Sequence, residues 1–183
     1  VPANSVQAAS LKIRYSGKTR YYKGKQLHVS YANKNLSSKY VGIQINKVNM
    51  IPYYDYLVKQ GPKVKRTYSK SSGKLILKNG DDTLTAYVGK RTYYLNGVKK
   101  TFSVAPTKVK YYKTKKTIIL IPANAIVKGL GLNYKYSSSS KRIYITQPVI
   151  PSDSTTQLQT QPSGSVQYTN YNKSLSAYVT AEK

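Results

Sequence analysis

The sequence predicts a mostly β, α+β protein made of two similar units, each a set of short antiparallel strands and hairpins with one short helix. Three observations carry this expectation. From about Leu11 to Thr146, short runs rich in Tyr, Val, Ile, Thr and Lys alternate apolar with polar residues, which is the period of a half-buried strand. Turn residues punctuate those runs at Lys23-Gly24, Ser72-Gly73, Asn79-Gly80-Asp81 and Asn96-Gly97. A Pro-started, Gly-stopped segment occurs twice, as "IPYYDYLVKQG" (51–61) and "IPANAIVKGLG" (121–131).

Residues 1–10, "VPANSVQAAS", lack periodicity, and Val6-Gln7-Ala8 has the small-residue pattern of a secretory cleavage site, so a leader is expected there. Strands are expected next in "KIRYS" (12–16), "QLHVSYA" (26–32) and "VGIQI" (41–45). After Pro52, the residues Tyr53, Tyr56 and Leu57 share one helical face, and Gly61 followed by Pro62 ends the helix. Strand patterns resume in "KLILK" (74–78), "LTAYVG" (84–89) and "RTYYLNG" (91–97), where Asn-Gly between alternating arms favours a type I′ hairpin. They continue in "KTFSV" (100–104), "KVKYYK" (108–113) and "TIILI" (117–121). After Pro122, a second helix is expected to bury Ala123, Ile126, Val127 and Leu130 and to stop at Gly131. "NYKYSSSSKRIYITQ" (133–147) then reads as a closing hairpin. Each helix spans only about two to three turns, too short to stand alone in water. Each must pack on a sheet.

The two halves repeat. "YYKGKQLHVSYA" (21–32) matches "YYLNGVKKTFSVA" (93–105), without a gap from Gly24/Gly97 through Ala32/Ala105. "MIP" (50–52) matches "LIP" (120–122), and "KLIL" matches "RIYI". The expected division is therefore 11–80, 81–146, and a Pro/Ser/Thr/Gln-rich linker and tail over 147–183, in which Leu175, Tyr178 and Val179 have helical spacing. Tyr occurs twenty times, Phe once and Trp never. Tyrosine must therefore serve as the main large core residue, with each hydroxyl needing a partner or water.

The net charge is +26. Residues 1–146 hold 29 Lys/Arg against Asp55, Asp81 and Asp82, whereas residues 147–183 hold two of each sign. The excess thus sits wholly on the repeated body. Such a surface points to a polyanionic partner, with a solubility adaptation as the alternative. No apolar run approaches the ~18–20 residues of a membrane span.

The second half, carried by Leu95-Asn96-Gly97, Ala105-Pro106, Ile121-Pro122, Leu130-Gly131 and Ile143-Tyr144-Ile145, resembles the copper amine oxidase N-terminal-like (stalk) domain family. The likeness is clear over about 83–146 and extends more faintly towards residue 11. In that family, an Arg and a Glu usually stand where this chain has Asn124 and Lys128, so an ion pair that braces the helix is missing here. The resemblance implies a non-catalytic module of secreted or wall-associated Gram-positive proteins, often linked to a catalytic domain on the same polypeptide. It implies no copper or quinone chemistry.

The residues themselves exclude most chemistry. One His, no Cys and five scattered acids offer no metal-ligand cluster. No two carboxylates are placed for glycoside hydrolysis, and no nucleophile elbow or phosphate-binding loop is present. Neither catalytic residues nor a cofactor are expected. What remains is Lys with Tyr, with Lys outnumbering Arg 26 to 5. The candidate polyanion contacts are Arg20, Lys23, Lys25, Lys63, Lys65, Arg66, Lys90, Arg91, Lys108, Lys110, Lys113, Lys115, Lys116, Lys135, Lys141 and Arg142. Candidate sugar-stacking rings are Tyr93, Tyr94, Tyr111, Tyr112, Tyr134 and Tyr136, unless they fill the core. The expected function is a secreted or wall-associated module that binds an anionic cell-wall polymer (teichoic acid or peptidoglycan) and spaces an attached domain. The rivals are a basic nucleic-acid-binding protein and a purely structural or protein-docking domain.

Overall fold

The computed structural model describes residues 10–149. Of the expected leader (1–10) and the expected linker and tail (147–183), residues 1–9 and 150–183 lie outside the described residues. Strands run in chain order as β1 (Leu11–Tyr15), β2 (Lys18–Tyr22), β3 (His28–Tyr31), β4 (Lys34–Asn35), β5 (Ile43–Ile45) and β6 (Val48–Pro52). A π-helical turn (Tyr54–Lys59) follows, then β7 (Lys65–Ser69), β8 (Lys74–Asn79), β9 (Asp82–Tyr87), β10 (Thr92–Leu95) and β11 (Val98–Thr101). β12 (Thr107–Tyr111) and β13 (Lys116–Pro122) lead into helix α1 (Ala123–Gly129), and β14 (Asn133–Ser137) with β15 (Arg142–Thr146) close the fold. The mostly β reading holds. The first expected helix is π-helical, not α, and Lys23-Gly24 is a bend that carries the chain to β3 and not a hairpin.

Asn96-Gly97 does form the predicted hairpin, with φ of 52° and 81°. Ser16-Gly17, Ala32-Asn33 and Asn46-Lys47 also have positive φ at both positions. They join β1 to β2, β3 to β4 and β5 to β6 with the twist that two-residue hairpins require.

Three sheets result. The largest has the order β2-β1-β12-β13-β6-β5, a second the order β11-β10-β9-β8-β7, and a third the order β14-β15-β3-β4 with β15 and β3 parallel. Each draws strands from both halves of the sequence. The expectation of one small sheet per unit is therefore corrected: residue 80 falls inside the β8–β9 hairpin, where Asn79 pairs with Asp82. The physical reason is edge satisfaction, because each half leaves strand edges that only the other half can pair.

The six-stranded sheet curls. The Tyr22 hydroxyl, at the end of β2, accepts the Gln44 N–H from β5 at 2.9 Å and donates to the Lys25 carbonyl at 2.6 Å. Inside the curl lie Ile13, Ile43, Met50, Val109, Tyr111 and Leu120. The other face, at β13 and β6, meets the larger core of Ile51, Tyr56, Leu57, Leu84, Phe102, Ile121, Ile126 and Val127. Both helices drop their apolar residues into that second core, as their spacing predicts. At the end of α1 the Gly131 N–H reaches the Lys128 carbonyl (3.0 Å) and the Leu132 N–H the Val127 carbonyl (3.1 Å). This is a Schellman closure, and it needs the left-handed φ of +77° at Gly131.

Two predictions follow from this packing. Gly131→Ala forces a Cβ into a left-handed backbone and within 2.7 Å of Asp82 Oδ2, so urea unfolding should show a loss of more than about 1 kcal/mol. The second concerns alkali. Burial, then the charge of Asp55, pushes the Tyr56 phenol up to about 12, and burial raises Tyr111 further still. A raised folded-state value favours the protonated form in the fold. The stability it supplies is complete below pH 10 and is lost as pH climbs from about 10 towards 12. Thermal melts across that window should fall steeply. Tyr112 ionises in the folded protein, whereas the last part of the tyrosinate absorbance, that of the buried rings, should appear only together with unfolding.

Candidate polyanion-binding face

The curled sheet leaves the outer side of β2, β1 and β12 uncovered. On β1, Lys12 and Arg14 are exposed while Ile13 is buried. On β12, Lys108 and Lys110 point away from the buried Val109 and Tyr111, as strand alternation expects. Register brings these residues together. Arg14 lies directly across from Lys110, and Lys12 directly across from Tyr21. The Tyr112 N–H donates to the Lys12 carbonyl at 3.2 Å and so extends the same row.

The result is four cations in two columns, bordered by two tyrosines. Lys12 Nζ stands 4.5 Å from the Tyr112 ring centre and 5.8 Å from that of Tyr21, and Lys110 Nζ is 4.9 Å from Tyr112. Arg14 donates to Thr19 Oγ1 at 3.0 Å, and Thr19 Oγ1 is 3.2 Å from the Tyr112 hydroxyl. That hydrogen bond, then the charges of Lys110, Arg14 and Lys12, hold the Tyr112 phenol below its ordinary value. Like charges directly opposite one another weaken a sheet. Two of the body's acids are turned to neutral partners elsewhere: Asp55 accepts from Ser38 Oγ at 2.6 Å and Asp82 from Asn96 Nδ2 at 3.0 Å.

The other candidate cations are scattered. Arg20 faces into the curl, its guanidinium 4.0 Å above the Tyr15 ring and its buried Nε without a hydrogen-bond partner. Lys23 and Lys25 lie in the bend after β2, and Lys113, Lys115 and Lys116 in the exposed turn that starts β13. Lys63 precedes β7, and Lys65 and Arg66 lie on it; Arg66 stacks 4.8 Å from Tyr54 and donates to the Tyr53 hydroxyl. Lys90 sits 5.8 Å from the Tyr87 ring, and Arg91 Nε is tied to the Phe102 carbonyl at 2.7 Å. Lys135 is exposed on β14, and Lys141 in the turn before β15. Arg142 donates to the Val29 carbonyl and to Ser30 Oγ, stitching β15 to β3. Arg20, Arg91 and Arg142 are thus structural.

Several candidate rings are also corrected. Tyr93 is buried and stacked on Phe102 at 3.8 Å, and Tyr111 is buried with its hydroxyl on the Val41 carbonyl at 2.6 Å. With Phe and Trp almost absent, the core takes these rings for its own filling. Tyr134 and Tyr136 are half-buried against the larger core, with the Tyr134 hydroxyl accepting from Asn49. Tyr94 is exposed on β10, away from the face, so Tyr112 alone of the six candidate rings belongs to it. Lys12, Arg14 and Tyr21 escaped the sequence reading. The signal for Lys12 and Arg14 was the alternation of "LKIRY", and Tyr21 lies across from Lys12 on β2. The pairing of β1 with β12 that completes the face is not a local property.

Among the described residues, no group of three or more His, Cys, Asp or Glu gathers to hold a metal, and no helix is long and apolar enough to cross a membrane. His28 is exposed on β3; burial, then Arg142 and Lys141, lower its pKa, the environment of a lone imidazole and not of a ligand set. The fold and its surface define a small β module that carries a basic strand face. Residues 33–145 match the family model described as copper amine oxidase N-terminal domain, and the chain belongs to that family, whose N-terminal domain is a non-catalytic, stalk-like module. Comparison with curated proteins and with solved structures yields no match. The matched span begins after β1 and β2, so the basic face joins a family strand, β12, to strands that precede the match. In α1, the departures Asn124 and Lys128 are both exposed, and apolar burial with the Schellman closure holds the helix without an ion pair between them.

The opposed charges make a stability prediction. Lys110→Thr should stabilise the fold at low ionic strength by about 0.2–1 kcal/mol, the size of a cross-strand pair effect. In ~1 M salt, where the Debye length is about 3 Å, the gain should vanish. Paired urea titrations in the two buffers check this.

Proposed function

We propose that this chain is a secreted, non-catalytic surface module of a Gram-positive wall. In this reading it holds anionic cell-wall polymer, teichoic acid or peptidoglycan, through the β1–β12 face and spaces a domain joined to it. The observation that carries this reading is Arg14 opposite Lys110. Both strands are interior to their sheet, so these charges do not serve to block an exposed edge. A repulsive pair kept where Thr would pack more stably is accounted for by a ligand that neutralises it.

The stalk role is supported by family membership and by architecture. We read the helix-bearing halves as copies related by an approximate twofold axis. Met50-Ile51-Pro52 pairs antiparallel with Leu120-Ile121-Pro122, and Ile51 stands across from Ile121. Such a pair of units sharing three sheets makes a stiff spacer.

Co-sedimentation with Gram-positive sacculi, stripped of teichoic acid or intact, tests the reading across a salt series. Binding should require the teichoic acid and fade as salt rises, because released counterions drive it. If neither preparation retains the protein at low salt, the wall-holding role is wrong and a structural or docking module is the better account.

A further inference from the structure

The spacing of the basic face specifies more than charge. Along a strand, side chains on one face recur every second residue, which is six backbone bonds and about 6.8 Å. Lys12 and Arg14 form one such column, Lys108 and Lys110 the other. A polyol phosphate with three carbons between phosphates also repeats every six bonds: P–O, O–C, two C–C, C–O and O–P. Stretched beside a strand, it offers a phosphate at the interval at which the strand offers a cation. A five-carbon linker repeats every eight bonds and falls out of step after one phosphate. We propose that the β2–β1–β12 face binds an extended three-carbon polyol phosphodiester in register with its two cation columns.

The aromatic border separates this ligand from a nucleic acid, which shares the six-bond repeat. Single-strand binders gain much of their affinity by stacking bases on open rings. Here Lys12 and Lys110 stand 4.5 and 4.9 Å from the Tyr112 ring centre, and Lys12 stands 5.8 Å from that of Tyr21. A base would have to displace an ammonium to reach either ring on that side. Thr19 and Tyr112 instead set hydroxyls beside the columns, suited to the free hydroxyl of a polyol. The predominance of Lys fits too, since an ammonium is a compact point charge that needs no planar fork to meet a phosphate. This inference rests on the face being the polyanion site.

Calorimetric titration of the full chain separates the possibilities, using synthetic poly(glycerol phosphate), a ribitol phosphate oligomer with the same number of phosphates, oligothymidylate and polyglutamate. The three-carbon polymer should bind most tightly, with log K falling against log salt at a slope of about −3 for four neutralised phosphates. The five-carbon polymer, reaching about half the cations, should show about half that slope. Lys12→Gln with Lys110→Gln should lower the slope for the three-carbon polymer by about 1.4, and the variant's thermal melt verifies that it folds. Equal binding of the ribitol or glutamate polymer would overturn the register, and tighter binding of oligothymidylate would make the face a nucleic-acid site. If intact sacculi retain the folded double variant as well as the parent, wall binding stands but this face is not its site. Failure of every polyanion would remove both readings.

Discussion

The pairing of β6 with β13 is the constraint on which the rest of the molecule depends. Ile51 faces Ile121 across that seam, and each lies in the larger core with both helices packed near it. Without the seam the six-stranded sheet divides into a four-stranded piece, β2-β1-β12-β13, and the β5–β6 hairpin. The helices, one turn or two long, then lose the joined surface against which they bury their apolar residues. With it, β13 carries β12, β12 carries β1, and the curl closes when Tyr22 reaches Gln44. The basic face is the outer side of that closed curl. Its geometry is therefore inherited from an apolar contact that takes no part in it.

Tyrosine shapes the interior in a way that Phe would not. Tyr111 fills the curl, but its hydroxyl must be satisfied, and it is, by the Val41 carbonyl in the loop before β5. Tyr22 ties two sheet edges, and Tyr134 ties β14 to Asn49 of β6. Each ring thus supplies apolar volume and one directional bond, which fixes how neighbouring strands approach. A core built this way gains register at the cost of buried phenols that resist ionisation. The one large aromatic without a hydroxyl, Phe102, lies flat against Tyr93 where β11 has ended.

Much of this was legible in the sequence, and the reasons differ by element. Strand patterns and the Asn96-Gly97 hairpin were local properties, set by alternation and by the positive φ that Asn-Gly tolerates. The stop of α1 at Gly131 was equally local. The sharing of sheets was not, because "MIP" and "LIP" announce similarity but not that they pair with each other. The Asn46-Lys47 hairpin was also hidden, since Lys at φ +65° is an uncommon choice. At the site, sequence alternation placed Lys108 and Lys110 on the exposed side correctly. The same alternation sets Tyr111 with Val109 in the core and, one residue on, Tyr112 with Lys110 on the face. What it could not supply is the β1 partner that brings Lys12 to that ring.

The lysines have two physical roles that a net charge merges. β7, β11 and β14 are outermost in their sheets and carry Lys65 and Arg66, Lys99 and Lys100, and Lys135. Lysine at such an edge discourages another chain from adding a strand, and this accounts for those charges without any ligand. β1 and β12 have partners on both sides, so the argument fails for Lys12, Arg14, Lys108 and Lys110. Cation–π contacts with Tyr112 and Tyr21 offset part of their repulsion and keep the ammonium groups directed over the sheet. A solubility adaptation would spread charge and avoid opposing it. Most of the lysines are spread in that way, but these four cations sit on two adjacent interior strands with Arg14 set against Lys110, and that opposed pair is what the proposed anion would neutralise.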